Sequence, residues 1–176
     1  MQVSYSKRNC TDKKKIEDLL LRERTGMIAM ASDLYPYAVP VNYVWHNGSV
    51  YFHGMGSGKK ETILARKPPV CFTIYREYGT VTDLMPCHAD TSYMSVMLFG
   101  RAEKVTDPKE GAAVLQKLLD KYMPGYYDQP LTGGLIEHYR SALDGNAVSV
   151  YRITPQEMTA KENPAESGSL FSSAVK

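Results

Sequence analysis

Apolar residues change their spacing along the chain, and this change separates helices from strands. Residues 12–25 place Ile16, Leu19 and Leu20 on one helical face, with lysines and glutamates opposite and Gly26 as a stop. After Gly26 the apolar residues come in short or alternating runs, which are typical of strands. The predicted strands cover residues 27–31, 37–45, 50–53, 70–75, 93–105 and 147–153, with an extension through 158–161.

Turn and capping signals show how these runs connect. Asn47-Gly48 is a strong hairpin signal, and it predicts that the strands on either side of it pair. Asp107-Pro108 begins a further helix, with the aspartate as N-cap and the proline at the first helical position. The remaining predicted segments are helices over 59–66 and 134–143 and a region that is mostly loop over 76–92.

Six or so strands joined by hairpins, with three or four helices outside them, predict a mainly β (α+β) fold. The expected architecture is a small antiparallel barrel, because a parallel layout would alternate strand and helix throughout. We predict one domain over residues 1–162. Residues 163–176 are small, polar and aperiodic, so we expect them to form a flexible tail.

Composition narrows the class of protein. The chain is 43% hydrophobic and 23% charged, as in ordinary globular domains, and its net charge of +2 comes without the basic stripe of a nucleic-acid binder. Three cysteines without a CxxC pair indicate reduced thiols rather than a disulfide framework. The first ten residues lack the apolar core of a secretory signal, and no apolar run is long enough for a membrane span. We therefore expect a cytoplasmic protein with no membrane partner.

A glycine–lysine turn is the most informative motif. Tyr51–Ile63 runs from an apolar strand through three glycines to Lys59 and Lys60 at a predicted helix start. Converging backbone N–H groups and a helix N-terminus bind phosphate, whereas lysines at that position are unfavourable without an anion. The spacing fits neither a P-loop nor a Rossmann fingerprint. A plain connector is the alternative, and one lysine is expected to bind while the other is solvated.

His53 ends the strand before this turn and is the main candidate for proton transfer, although a structural role is the alternative. Cys87, His88 and Asp90 could together suggest a metal site. They lack four-ligand spacing, so we predict no metal.

Four segments in order carry a family resemblance. They are Pro36–Val44, Tyr51–His53, Gly58–Lys60, and Ser95-Val96 with Phe99-Gly100-Arg101-Ala102. This series resembles the pyridoxamine 5′-phosphate oxidase-like flavoproteins with the split β-barrel fold. It is most similar to their 5-nitroimidazole-resistance (nitroimidazole reductase) branch, over residues 12 to 161. The arginine- and lysine-rich pattern that recognises pyridoxamine phosphate is not seen here, so true oxidase activity on that substrate is not expected.

The resemblance implies a six-stranded antiparallel split barrel with Greek-key character, peripheral helices and an FMN-binding homodimer with two sites at its interface. It implies that the 54–60 loop holds the FMN phosphate, that residues 39–42 run beside the flavin ring, and that the matching histidine is near it. Tyr93 and Ser95 would reach the partner's flavin, although plain strand alternation also explains them. The expected cofactor-binding residues are Val39, Pro40, Val41, Asn42, His53, Gly54, Gly58, Lys59, Lys60, Tyr93 and Ser95, and His53 is the tentative catalytic residue.

These residues suggest an FMN-dependent oxidoreductase. It would take electrons from a reduced nicotinamide or another donor and pass them to a small planar acceptor such as a nitroaromatic or a quinone. The alternatives are a non-catalytic flavin-binding sensor or store, and a barrel of this kind that holds haem or a deazaflavin.

Overall fold

Seven antiparallel strands form one sheet in the computed structural model, which describes residues 3–166 and 168–172. The strands are β1 (Thr25–Met30), β2 (Tyr37–His46), β3 (Ser49–Gly54), β4 (Pro69–Val81), β5 (Asp90–Lys104), β6 (Ser149–Ile153) and β7 (Glu157–Asn163). Their order is β4-β1-β2-β3-β6-β5-β7, and β4 also pairs with β5. That extra pairing closes six strands into a barrel, while β7 pairs with residues 93–99 in the middle of β5. The predicted fold class is therefore confirmed.

Strand alternation fills the barrel. In β3, Val50 and Phe52 are fully buried inside, and the same alternation places Met94, Val96 and Leu98 of β5 in the interior. The Asn47-Gly48 turn has positive φ at both residues, as the predicted hairpin requires. Gly100 lies where β6 turns into β7, and a Cβ there would be 2.9 Å from the Thr154 carbonyl oxygen. A side chain at position 100 would therefore clash with this backbone.

Among the described residues, four α-helices lie outside the barrel. Asp12 and Asp107 cap two of them, since their carboxylates accept backbone N–H bonds from the first turn. Val114 and Leu118 pack on the outer face of the sheet against Val44, Tyr51 and Val150. The helices are α1 (Lys13–Arg22), α2 (Lys59–Leu64), α3 (Pro108–Tyr122) and α4 (Gly133–His138).

The prediction that residues 76–92 are mostly loop is wrong. Strand β4 continues to Val81 and β5 begins at Asp90, so the two form a long hairpin arm with an irregularity between Glu77 and Gly79. Most side chains of this arm are exposed on both faces, and it therefore lacks the apolar alternation that reveals a strand. The arm is held together by backbone hydrogen bonds between β4 and β5. A pattern of hydrophobic residues does not reveal such pairing.

Two further predictions near the end of the chain, the end of α4 and the start of the tail, differ from the structure. Helix α4 ends at His138 rather than at residue 143, because Tyr139 leaves helical geometry and residues 141–146 close a separate turn. Residues 169–171 hydrogen-bond to the β4 arm, with Leu170 opposite Val81. The rest of the predicted tail includes residues 167 and 173–176, which lie outside the described residues.

Candidate functional site

His53 projects from the outer face of β3, just beyond the part that α3 covers. Tyr51, two residues earlier on the same face, is buried under α3, whereas the His53 side chain is solvent-accessible. Surrounding protein atoms and then the charge of Lys60 lower the pKa of His53 below its ordinary value. Its imidazole is therefore neutral near neutral pH, with one nitrogen able to donate and the other to accept.

The glycine turn after His53 is held in place by a neighbouring loop. The Ser57 hydroxyl donates to the Asp144 carboxylate at 2.8 Å, and a Cβ on Gly56 would be 2.7 Å from that of Asn146. Gly58 has a φ of +101° at the N-cap of α2, a conformation that strongly favours glycine. The predicted turn thus exists. A glycine is required at position 56 because a side chain would clash, and it is favoured at position 58 because of the positive φ.

Lys59 and Lys60 point in different directions. The Lys59 ammonium lies 4.8 Å from the centre of the Tyr37 ring and is exposed. The Lys60 ammonium folds back over Gly54 and lies 5.6 Å from the centre of the Phe52 ring. Burial lowers the pKa of Lys60, and within the described chain it forms no ion pair. Lys60 is thus a half-buried cation that can accept an anionic ligand.

The carboxylate next to Lys60 is already engaged elsewhere. Glu61 accepts hydrogen bonds from the Lys104 ammonium at 3.0 Å and from the Ser149 hydroxyl at 3.1 Å. Burial opposes its ionisation, but these bonds and Tyr151 lower the pKa of Glu61 overall. Glu61 therefore fixes the first turn of α2 without neutralising Lys60.

Strand β2 has a free edge close to His53. Its pairing with β3 begins at Tyr43 opposite Phe52, while residues 37–42 pair only with β1. The Tyr43 N–H and C=O both bond to the Tyr122 hydroxyl on the β1 side. Backbone groups alternate along a strand, so Pro40 and Asn42 direct theirs to the free edge. Proline suits this edge, because it has no N–H to leave unpaired.

The side chains of this segment divide between two environments. Val39 and Val41 point into the barrel and pack in its core, whereas Pro40 and Asn42 are exposed outside. The outer pair and the edge backbone are the parts of this segment that face away from the core. The Val39 and Val41 side chains contribute to the barrel core, and their predicted contact with a cofactor stays a prediction.

Tyr93 and Ser95 lie on a different surface. Ser95 is opposite Tyr75 and Lys161, and the Tyr93 and Tyr75 rings are 5.8 Å apart. A single chain does not bring Tyr93 and Ser95 together with His53 and Lys60. Their contact with a cofactor stays a prediction that needs a second subunit.

A cavity of about 900 Å³ opens beside His53, Gly54 and Lys60. We call this cavity the apolar chamber. Half of its lining residues are aliphatic, Tyr127, Gln129, Tyr139 and Ser141 add polar groups, and most of the wall comes from α3, α4 and the loops around α4. The main wall residues are Leu115, Leu118, Leu119, Leu131, Leu135 and Ile136. The sequence analysis did not predict this chamber. The apolar stripe of α3 and the aliphatic residues around 131–136 were the features of the sequence that could have indicated it.

Metal-ligand clusters and membrane-spanning helices are both absent from the residues that the structure describes. In the part of the chain that the structure describes, no three His, Cys, Asp or Glu side chains converge as metal ligands would. His88 instead lies 3.4 Å from Asp83 at the tip of the hairpin arm. No helix among these residues is long and apolar enough to cross a membrane.

The closed barrel, the free β2 edge and the glycine–lysine turn together define a split β-barrel protein with a pocket suited to an anionic ligand. The family model described as pyridoxamine 5′-phosphate oxidase matches residues 12–162, so the chain belongs to that family. The family resemblance read from the sequence is confirmed. No curated protein matches the chain significantly.

Solved structures share this fold at low sequence identity. A flavocytochrome from Azotobacter vinelandii is 22% identical with a TM-score of 0.77, covering 93% of this chain and 73% of that one. An FAD and haem binding protein from Mycobacterium smegmatis is 19% identical with a TM-score of 0.72, covering 90% and 76%. A protein assigned to 5-nitroimidazole antibiotic resistance in Bacteroides thetaiotaomicron is 24% identical with a TM-score of 0.66, covering 87% and 85%.

Proposed function

We propose that this protein is an FMN-binding oxidoreductase that passes electrons from a reduced nicotinamide or another donor to a small planar acceptor. The observation that carries the proposal is the half-buried Lys60 ammonium, which lies against Gly54 with no ion-pair partner among the described residues. A cation held in this way is stabilised when an anion such as a phosphate joins it.

The rest of a flavin can be accommodated next to that phosphate. With the phosphate at Lys60 and the glycine turn, the ring would lie along the free edge of β2. There the Asn42 N–H and C=O and the Pro40 C=O offer the donor and acceptors that a pyrimidine edge needs. The bound flavin supplies the redox chemistry, and the protein supplies position and charge.

The charge count favours FMN over a dinucleotide. Lys60 is the one lysine or arginine among the residues that line the chamber. The rest of the lining includes Tyr127, Gln129, Tyr139 and Ser141 but no second cation, so a second phosphate would enter without a charged partner, at a desolvation cost. The names of similar structures include both flavin and haem, so the cofactor is the first quantity to measure.

His53 is the side chain placed to move a proton. It is neutral, accessible and adjacent to Lys60, and its ring forms no hydrogen bond within the described chain. In the proposed reaction a reduced nicotinamide gives a hydride and solvent gives a proton, and a quinone-type acceptor leaves with two electrons and two protons. His53 would deliver the proton to the acceptor oxygen.

A homodimer would complete each site. Tyr75 and Met97 are exposed on the sheet face that also carries Tyr93 and Ser95. Exposed apolar residues on a paired sheet face are typical of subunit interfaces. In such a dimer Tyr93 and Ser95 of one subunit would approach the flavin of its partner. The cysteines Cys10, Cys71 and Cys87 form no disulfides, which supports a cytoplasmic location.

The test begins with the absorption spectrum of the purified protein and a titration with FMN. Lys60→Ala should weaken FMN binding by about 10- to 100-fold, as expected for a lost charge-assisted contact. Lys59→Ala is the matched control and should change the affinity by less than about 3-fold, since exposed charges contribute little. Equal effects of the two substitutions would contradict the phosphate assignment.

The catalytic part is tested separately. NADH or NADPH should bleach the bound flavin, and a nitroaromatic or a quinone should restore its colour. Flavin that binds but is reduced by no donor would make the protein a flavin store or sensor. A Soret band in place of a flavin spectrum would overturn the FMN proposal.

A further inference from the structure

We infer that Asp144 is a positioning residue of the proposed flavin site. It holds Ser57 and thereby ties the glycine turn, residues 54–58, to the wall of the apolar chamber that α4 forms. The Asp144 carboxylate acts through Ser57 and does not itself bind the flavin. The inference rests on the proposed function for the identity of the ligand, whereas the tie between the two segments can be measured without flavin.

The two segments run side by side past the end of the sheet. The ladder between β3 and β6 ends with Gly54 opposite Ser149. Beyond this pair the chains stay in contact, since a Cβ on Gly56 would lie 2.7 Å from the Cβ of Asn146. Residues 54–58 therefore lie against the chain that leads from α4 into β6.

One hydrogen bond joins these segments beyond the ladder in the described part of the chain. The Ser57 hydroxyl donates to the Asp144 carboxylate at 2.8 Å. Ser57 is exposed, and its hydroxyl bonds to no other described residue. Loss of the carboxylate would therefore leave the Ser57 side chain free to rotate in water, and the glycine turn would lose its fixed point.

Asp144 is itself held in place by the turn in which it lies. Its carboxylate accepts bonds from the backbone N–H and the side-chain amide of Asn146, both at 3.1 Å. The Ser141 N–H donates to the Asn146 carbonyl and the Gly145 N–H to the Ser141 carbonyl, each at 2.8 Å. The bonds from Asn146 and then from Ser57 lower the pKa of Asp144 to about 2. Asp144 is thus an ionised acceptor in a preformed turn at physiological pH.

The same turn anchors one end of the chamber wall. Helix α4 has six residues and none of them is buried, and a helix of that length is not stable by itself. Its N-terminal side is fixed to α3, because the Gln116 side chain accepts the Leu131 N–H at 2.8 Å. Its C-terminal side continues through Ser141, which lines the chamber, into the turn of Asp144. The bond to Ser57 therefore fixes the C-terminal side.

This arrangement couples the anion site to the chamber wall. A phosphate bound at Lys60 would restrict the glycine turn, and the bond between Ser57 and Asp144 would pass that restriction on to residues 133–147. Coupling between two sites is reciprocal, so loosening the wall at Asp144 should also weaken the binding of the phosphate.

Amide hydrogen exchange, followed by mass spectrometry, tests the tie on the full-length protein without flavin. Asp144→Ala and Ser57→Ala should each speed exchange in both segments, 54–58 and 133–147, by about 5-fold, as one lost hydrogen bond predicts. The double substitution should add little to either one, because both break the same bond. Asp144→Asn keeps one acceptor oxygen and should have a smaller effect than Asp144→Ala. Asp128→Ala is the matched control, since Asp128 is an exposed carboxylate before α4 that bonds to no described residue.

Titration with FMN is the second measurement. Asp144→Ala should weaken FMN binding by about 3- to 10-fold, and Asp128→Ala by less than about 2-fold. FMN should slow exchange over residues 133–147 in the wild-type protein, and Asp144→Ala should lose most of this protection. Partial rescue by Asp144→Asn, together with the lost protection, separates a positioning role from general destabilisation. Circular dichroism checks folding, and Ser57→Ala removes the same bond from the exposed side if Asp144→Ala does not fold.

Three results would overturn the inference. Faster exchange confined to residues 141–147 in Asp144→Ala would show that the carboxylate supports its own turn only. Equal protection of residues 133–147 by FMN in the wild-type protein and in Asp144→Ala would show that FMN contacts the wall directly. Tighter FMN binding by Asp144→Ala would make the carboxylate a competitor of the phosphate. If FMN does not bind to the wild-type protein, the proposed function fails, and the exchange measured without flavin still decides whether the tie exists.

Discussion

The Lys60 ammonium occupies the space that a side chain on Gly54 would fill. An ideal Cβ on Gly54 would lie 2.6 Å from the Lys60 Nζ atom and 3.0 Å from its Cε atom. A glycine at position 54 therefore decides where the charge of Lys60 is held. The strand, the turn and the second residue of α2 are coupled through this one contact.

Gly54→Ala should move the Lys60 ammonium and weaken FMN binding by about 3- to 10-fold, which corresponds to roughly 1 kcal/mol. The free energy of unfolding should change little, because the end of a lysine side chain can shift easily. Gly111→Ala is the control, since a Cβ there meets no atom within 4 Å. Titration with FMN and urea unfolding measure the two quantities. A Gly54→Ala protein with unchanged FMN affinity would disprove the coupling.

His53 should make the stability depend on pH. Its folded-state pKa is lowered by partial desolvation from surrounding protein atoms and then by Lys60, so on acidification the unfolded chain takes up a proton before the folded chain does. The free energy of unfolding should therefore fall as the pH drops below the ordinary histidine pKa of about 6.5. His53→Gln should show a smaller fall between about pH 7.5 and 5.5, the range in which histidine titrates. Urea unfolding at both pH values tests this, and equal falls in both proteins would count against it.

Tyr122 joins the end of α3 to the start of the barrel. Its hydroxyl accepts the Tyr43 N–H at 2.9 Å and bonds to the carbonyls of Arg24 and Tyr43. Tyr122→Phe leaves the partly buried Tyr43 N–H unpaired, so it should cost about 1–3 kcal/mol in urea unfolding. Tyr126→Phe, at an exposed ring, should cost less than about 0.5 kcal/mol. Similar costs at the two positions would show that the Tyr122 bonds contribute little.

Gly26 leaves room for the Phe72 ring inside the barrel. A Cβ on Gly26 would lie 2.2 Å from the Phe72 ring, which is fully buried and packs edge-on against Tyr43. Gly26→Ala should therefore cost about 1–3 kcal/mol through overpacking. Phe72→Leu in the same chain should recover part of that loss, with a coupling of about 1 kcal/mol in a double-mutant cycle. If the effects of the two substitutions on the free energy of unfolding were simply additive, the Phe72 ring would be able to move away from a Cβ at position 26 without cost.

The local parts of the site were readable from the sequence because they depend on neighbours in the chain. Asn47-Gly48 and the glycines before Lys59 set their own backbone geometry. The inward alternation of Val50 and Phe52 likewise follows from strand periodicity. The hairpin arm over residues 76–92 was missed because its strands are held by pairing and bury little apolar surface.

The sequence by itself determined the antiparallel strands, the main turns, the family and the presence of a glycine–lysine motif, since each is encoded in short-range pattern and backbone preference. Only the tertiary structure decided that Lys60 rather than Lys59 faces the chamber, that Val39 and Val41 are core residues, and that α3 and α4 enclose an apolar space beside His53. Those outcomes depend on contacts between segments far apart in the chain, such as Ser57 with Asp144 and Glu61 with Lys104. Packing of this kind is specified by the whole fold, which no local pattern contains.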